Sequence, residues 1–198
     1  MPIDPRANAP ERIAAPAPLP HVSRRALKRV KNPIPAPTTC RYCNSEVRLV
    51  CNSEIYNGRS YGDWPYAYLC DGCRAYVGLH PDTDIPLGTL ADDKLRAVRN
   101  RSKTAFHNHM RKAGLTRTLA YQWLAGQMGI EVGKCHFGWF DHAECVAAEK
   151  AVKQAVQPGQ TPAGITPKLG PQRTGYCPSA CRTAGTGKKP GCTQALFR

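Results

Sequence analysis

A small α+β domain flanked by disordered basic tails is the fold class that the sequence predicts, and three observations predict it. Two Cys-x-x-Cys pairs, CRYC at 40-43 and CDGC at 70-73, stand 26 residues apart. Between and just after them the apolar residues alternate, as in half-buried strands. From Ala91 onward the period changes to that of amphipathic helices.

The boundaries follow from charge and proline. The chain has 198 residues and a formal net charge of +14. Residues 1-39 carry seven Lys/Arg against two Asp/Glu, residues 40-156 fifteen against twelve, and residues 157-198 six against none. Proline divides the same way, with nine, three and six. Segments rich in charge and proline bury too little apolar surface to offset a chain entropy of about 1–2 kcal/mol per residue. The reading is therefore a disordered Pro-rich basic arm over 1-39, a ribbon over 40-90, a helical part over 91-156 and a disordered basic tail over 157-198. In the first arm HVSRRALKRVKN, fenced by Pro20 and Pro33, could form a short basic helix on a partner but is too short to persist free in water, with Arg24, Arg25, Lys28 and Arg29 as its cations.

The opening twenty residues lack a basic start followed by an apolar core, and nothing later is apolar for long enough to span a bilayer. A cytoplasmic, reducing location and no membrane partner are the expectation. In that setting cysteines serve as metal ligands and buried thiols before they serve as disulfides.

A redox Cys-x-x-Cys needs its first thiol at a helix N-terminus, but RAYVGLH after Cys73 alternates like a strand. Two such pairs fit the other device, in which two cysteine-bearing turns clamp one tetrahedral Zn²⁺. Cys40, Cys43, Cys70 and Cys73 are the expected ligands of one structural zinc ion. SEVRLVCNSEIY and WPYAYL supply the strands of a zinc-ribbon-like hairpin, and NGRSYGD supplies its turn. Cys51, inside the first strand, is expected to be a small buried side chain.

Leu95, Val98, Ser102, Ala105, Phe106 and Met110 recur at helical spacing, with Asp92 and Asp93 in the first turn and Gly114 as the stop. Arg96, Arg99, Lys103, His107 and Arg111 fall on one flank of that stripe, either as a solvated face or as phosphate contacts. A second helix reads TRTLAYQWLAGQMG, capped by Thr116 or Thr118. A third opens at Asp141 with the capping box DHAE and runs through Val146, Ala151 and Val152 to about Val156.

KCHFGWFDHAEC brings Cys135, His136, His142 and Cys145 within eleven residues. Those are zinc ligand types, but Trp139 and Phe140 beside them are core-like, and a packed corner is the stronger reading. Cys177, Cys181 and Cys192 in the tail make an incomplete site. The letters HNH at 107-109 sit on one helix and do not form a nuclease site. No phosphate-cradling glycine loop, nucleophile elbow or HExxH is present, and the chain is expected not to be an enzyme.

CRYC, YGDWPYAYLCDGCRAYVGLHPDTDIPLGTLAD, AYQWLA and CHFGWFDHAEC together resemble a phage and prophage family described as a zinc-finger-containing domain, over about residues 38-150. The resemblance implies a zinc-binding domain, phage-encoded or prophage-derived, with the same four cysteines as ligands. It extends around His136 and Cys145 without implying a role for them.

The functional expectation is an accessory protein that binds nucleic acid through its basic arms and a basic helix face. Arg96, Arg99, Lys103 and Arg111 would serve on the helix and Arg24, Arg25, Lys28 and Arg29 on the arm. Tyr56, Tyr61, Trp64, Tyr66 and Tyr68 lie in or beside the hairpin, either as stacking platforms or as its core. The alternative is a zinc-stabilised protein-interaction module that modifies a host or phage complex. A metal-dependent nuclease comes third.

Overall fold

The structure, a computed structural model, describes residues 2–155. The expected tail and its three cysteines lie outside the described residues. Strands β1 (Val47–Cys51), β2 (Tyr66–Cys70) and β3 (Tyr76–Gly78) form one antiparallel sheet in that order. Leu49 faces Tyr68, and Tyr68 faces Val77. A short helix α1 (Arg24–Leu27) precedes the sheet, and α2 (Asp93–Lys112), α3 (Arg117–Met128) and α4 (His142–Ala155) follow it. Among these helices none is long and apolar enough to cross a membrane.

The helix ends obey local chemistry. Asp92 caps α2 by accepting from Leu95 N–H at 2.8 Å, and Thr116 caps α3 through Leu119 N–H. The capping box of α4 is reciprocal: Glu144 N–H donates to Asp141 and Asp141 N–H donates to Glu144, at 2.8 and 2.7 Å. Gly114 takes a φ of +62° just past α2, a conformation that side chains with a Cβ rarely adopt. Phe106, Trp123, Leu124, Phe137, Phe140, Ala148 and Val152 form the helical core. Val146 on α4 is 47% exposed, because that core is closed by Cys145, Ala148 and Val152.

A second core lies against the sheet, built from Cys40, Val47, Tyr68, Cys70, Ala75, Val77 and Leu79. Cys51 is only half-buried and its sulfur stands 3.5 Å from the Ser60 hydroxyl, so it is not part of that core.

The first arm departs from expectation. Composition predicts a free chain over 1-39, whereas residues 2–39 run against the domain and bury Ala7, Leu19, Ala26, Leu27 and Val30. Leu19 joins the sheet core, and Leu27 and Val30 pack with Ile85. The Arg6 guanidinium donates to both oxygens of Asp84 at 2.7 and 2.8 Å and also to Asp4, which holds the Asp4 carboxyl below its ordinary range. The reason is that a few well-spaced apolar groups dock on a core made elsewhere, so the arm needs none of its own. The loop at 80-86 receives it. Thr83, fully buried, donates from its hydroxyl to His80 O and accepts from Ile85 N–H. Ser23 N–H, Trp64 Nε1 and the Tyr68 hydroxyl donate to the carbonyls of Asp82, Thr83 and Asp84.

Leu27→Ala is expected to lower unfolding stability by about 2–5 kcal/mol, the usual cost of emptying a buried leucine site. Leu119→Ala, on the exposed side of α3, serves as the control. Chemical denaturation measures both. A Leu27 variant no less stable than the control would mean that the arm is not docked.

Candidate metal centre

Two knuckles of matching geometry carry the four thiols. In the first, Cys40 N–H donates to Ser45 O, Asn44 N–H returns to Cys40 O, and Tyr42 N–H points at the Cys40 sulfur. In the second, Cys70 N–H donates to Ala75 O, Arg74 N–H returns to Cys70 O, and Cys73 N–H points at the Cys70 sulfur. The residue after each second cysteine turns left-handed, Asn44 with a φ of +60° and Arg74 with +61°. Asparagine tolerates that region well and is a legible signal, while arginine is not.

The sheet brings the knuckles together, because β1 starts at the end of the first and β2 runs into the second. Arg48 on β1 clasps Asp71 at 2.8 Å, and Asp71 N–H donates to Glu46 O. Gly72 is needed for the close approach: a Cβ there would lie 2.4 Å from Ser45 Oγ and 3.1 Å from the Cys43 sulfur.

The four ligand atoms converge within 4.8 Å of one another, the one such group of His, Cys, Asp or Glu among the described residues. Sulfur separations are 3.5 Å for Cys40 and Cys73, 3.4 Å for Cys43 and Cys70, and 3.6 Å for Cys70 and Cys73. Tetrahedral thiolates about 2.3 Å from an ion stand about 3.8 Å apart, so the cage fits one structural Zn²⁺ once the closest pairs widen by a few tenths of an ångström. Cys40 and Cys70 are buried and Cys43 and Cys73 exposed, which leaves one side of the cage near solvent. Hydrogen bonding from the Ser45 side chain, and then from its backbone, pulls the Cys43 thiol down to about 6. A bound zinc would hold the two knuckles in register, and four thiolates leave no coordination position for a substrate.

Cys135, His136 and Cys145 are not brought together as ligands. Both sulfurs lie in the helical core, where burial pushes the Cys135 thiol up to about 11, and the exposed His136 ring packs on Trp139 at 4.9 Å. Of the HNH letters, His109 packs on Trp123 at 4.6 Å.

The cations expected to meet phosphate divide sharply. Arg99 is buried, with Nε donating to Phe140 O at 2.7 Å and Nη1 and Nη2 to Thr89 at 3.0 and 2.6 Å. It pins the loops at 89 and 140 to α2 and is no surface contact. Arg96 is mostly committed too: its guanidinium lies 3.9 Å over the Tyr76 ring, donates to Ala91 O and pairs with Asp93. Lys103 and Arg111 remain exposed on that flank. On the arm, Arg24 donates to Pro10 O and Glu11 O, while Arg25, Lys28 and Arg29 face solvent.

The hairpin aromatics divide likewise. Tyr68 is core, Trp64 and Tyr66 pack on each other at 5.1 Å, and Tyr56 and Tyr61 are exposed with their rings 5.1 Å apart.

A family model described as a zinc-finger-containing domain matches residues 36–155. Neither a curated protein nor a solved structure matches the chain.

Ser45→Ala is expected to raise the pH at which zinc is lost. Removing the hydroxyl raises the Cys43 thiol, so protons compete for that sulfur at higher pH and the release midpoint moves upward. Zinc retained after equilibration across a pH series measures it. A midpoint that is unchanged or lower would show that Ser45 does not support the thiolate.

Proposed function

The chain belongs to the zinc-finger-containing domain family, and from that premise we propose that it is a nucleic-acid-binding accessory protein with a structural zinc and no catalytic activity. The observation that carries this reading is how the charges are spent. Among the described residues the lysines and arginines that reach carboxylates are Arg6, Arg48, Arg96, Arg101 and Lys134. Arg25, Lys28, Arg29, Lys103 and Arg111 are exposed and form no ion pair among these residues. Residues 157-198 add six cations and no acid. An excess of unpaired cations of this kind favours a polyanion.

The field on α2 supports the same partner. After burial, Lys103, Arg117 and Arg111 hold His107 below its ordinary value, and no carboxylate is among its perturbing neighbours. The exposed rings of Tyr56 and Tyr61 suit base stacking, which favours a single strand over a closed duplex. Hydrogen bonding to Tyr76, and then burial, pushes the Tyr56 phenol up to about 12. An accessory role in a phage-encoded process is part of the same proposal, as the resemblance drawn from the sequence implies.

Fluorescence anisotropy with labelled single strands and duplexes, repeated across a salt series, tests the proposal. For single strands log K is expected to fall with log salt by about 0.7 per phosphate contacted, and Lys103→Gln with Arg111→Gln is expected to reduce that slope by about 1.4. No binding even at low salt, where charge effects are strongest, would remove nucleic acid as the partner and favour the protein-interaction alternative.

A further inference from the structure

Between the start of α3 and the 3₁₀ turn Val132–Lys134 lies a cavity of about 300 Å³ whose lining includes Lys31, Arg117, Thr118, Tyr121 and His136. Three separate stretches of chain build it. Lys31 comes from the docked arm, Arg117, Thr118 and Tyr121 from α3, and His136 from the loop before α4. Asn32 helps hold the arm in place, with Nδ2 donating to Gly133 O at 3.4 Å. The Arg117 guanidinium lies 5.5 Å from the centre of the Tyr121 ring, and the His136 ring is 6.4 Å from the same ring.

The chemistry of the wall is one-sided. Its ionisable nitrogen groups are an ammonium, a guanidinium and an imidazole, set among neutral side chains, and no carboxylate lines it. No carboxylate in the wall meets the charge of Lys31 or Arg117, and neither forms an ion pair among the described residues. Burial, and after it Arg117, hold His136 below its ordinary value, which disfavours its second ring proton. A dianion entering there would restore that proton and gain a third donor.

We infer that this cavity binds a phosphate monoester, with Lys31, Arg117 and His136 around the phosphate and the Tyr121 ring as a flat wall for the attached nucleoside. A monoester carries nearly two charges at neutral pH, against one for an internal phosphodiester, and so uses more than one lining cation more fully. The volume sits at the lower end of the range for small-ligand sites, which suits one nucleotide. Resting on the nucleic-acid reading, the source is the phosphorylated end of a strand; a free nucleotide shares the chemistry.

The test uses the full zinc-loaded chain and follows histidine ring resonances by NMR at fixed pH and constant ionic strength. Adenosine monophosphate and inorganic phosphate are the probes, with sodium chloride as the matched control. A saturable shift of His136, with His109 unmoved against Trp123, is expected, and Arg117→Gln or Lys31→Gln should weaken it at least about tenfold. An unmoved His109 and unchanged helical circular dichroism confirm that the variants fold. Absence of a shift beyond the chloride control, or an equal shift in both variants, would overturn the site. A second arm distinguishes the sources by comparing one oligonucleotide with phosphorylated and hydroxyl ends. Tighter binding of the phosphorylated strand, lost in Arg117→Gln, supports the strand end. Equal binding of the two strands would overturn the strand end as source while leaving the nucleic-acid reading intact.

Discussion

The constraint on which the rest of this structure depends is the closure of four thiolates around one ion. A three-stranded sheet with strands of five, five and three residues buries too little to fold alone. Structural zinc contributes on the order of 10–16 kcal/mol in comparable small domains, far more than so small a sheet can replace. The ion fixes the two knuckles, the knuckles fix the register of β1 against β2, and β2 positions β3. From β3 the chain reaches Ala91 through the bridge with Tyr76, and α2 begins two residues later.

Two arginines then extend that order outward. Arg99 is satisfied by carbonyls on either side of it, at Thr89 before α2 and at Phe140 before α4, so the end of the ribbon segment and the helical core share one buried guanidinium. Truncating it would strand those carbonyls. Arg6 works at the surface in a similar way, linking a segment near the N-terminus to Asp84 in the loop that also receives Trp64 and Tyr68. The surface left for a partner on that flank of α2 is narrowed accordingly: Arg99 is turned inward, while Lys103 and Arg111 stay exposed.

What was legible in the sequence was local. The Cys-x-x-Cys pairs, the alternation that marks the strands, the acidic start of α2 at Asp92 and Asp93, the box at Asp141 and Glu144 and the stop at Gly114 all act within a few residues and are found, with Asp92 serving as the cap of α2 where the sequence places it in the first turn. The misses depend on distant partners. Helical periodicity puts Arg99 beside Arg96 and Lys103, but its burial is decided by Phe140, 41 residues away. Composition makes the first arm look free, because the average over 39 residues hides how Leu19, Leu27 and Val30 meet a core formed by other segments. The cluster of Cys135, His136 and Cys145 is not among the misses: its residues are zinc ligand types, but Trp139 and Phe140 beside them make a packed corner the stronger reading. Packing separates them, since both sulfurs turn into the helical core while the imidazole stays outside it.

Zinc-edge X-ray absorption of the purified protein tests the central claim most directly. The account predicts a first shell of four sulfurs at about 2.3 Å and no nitrogen or oxygen scatterer. A mixed shell containing imidazole, or one that survives replacement of both Cys40 and Cys70 by serine, would contradict it.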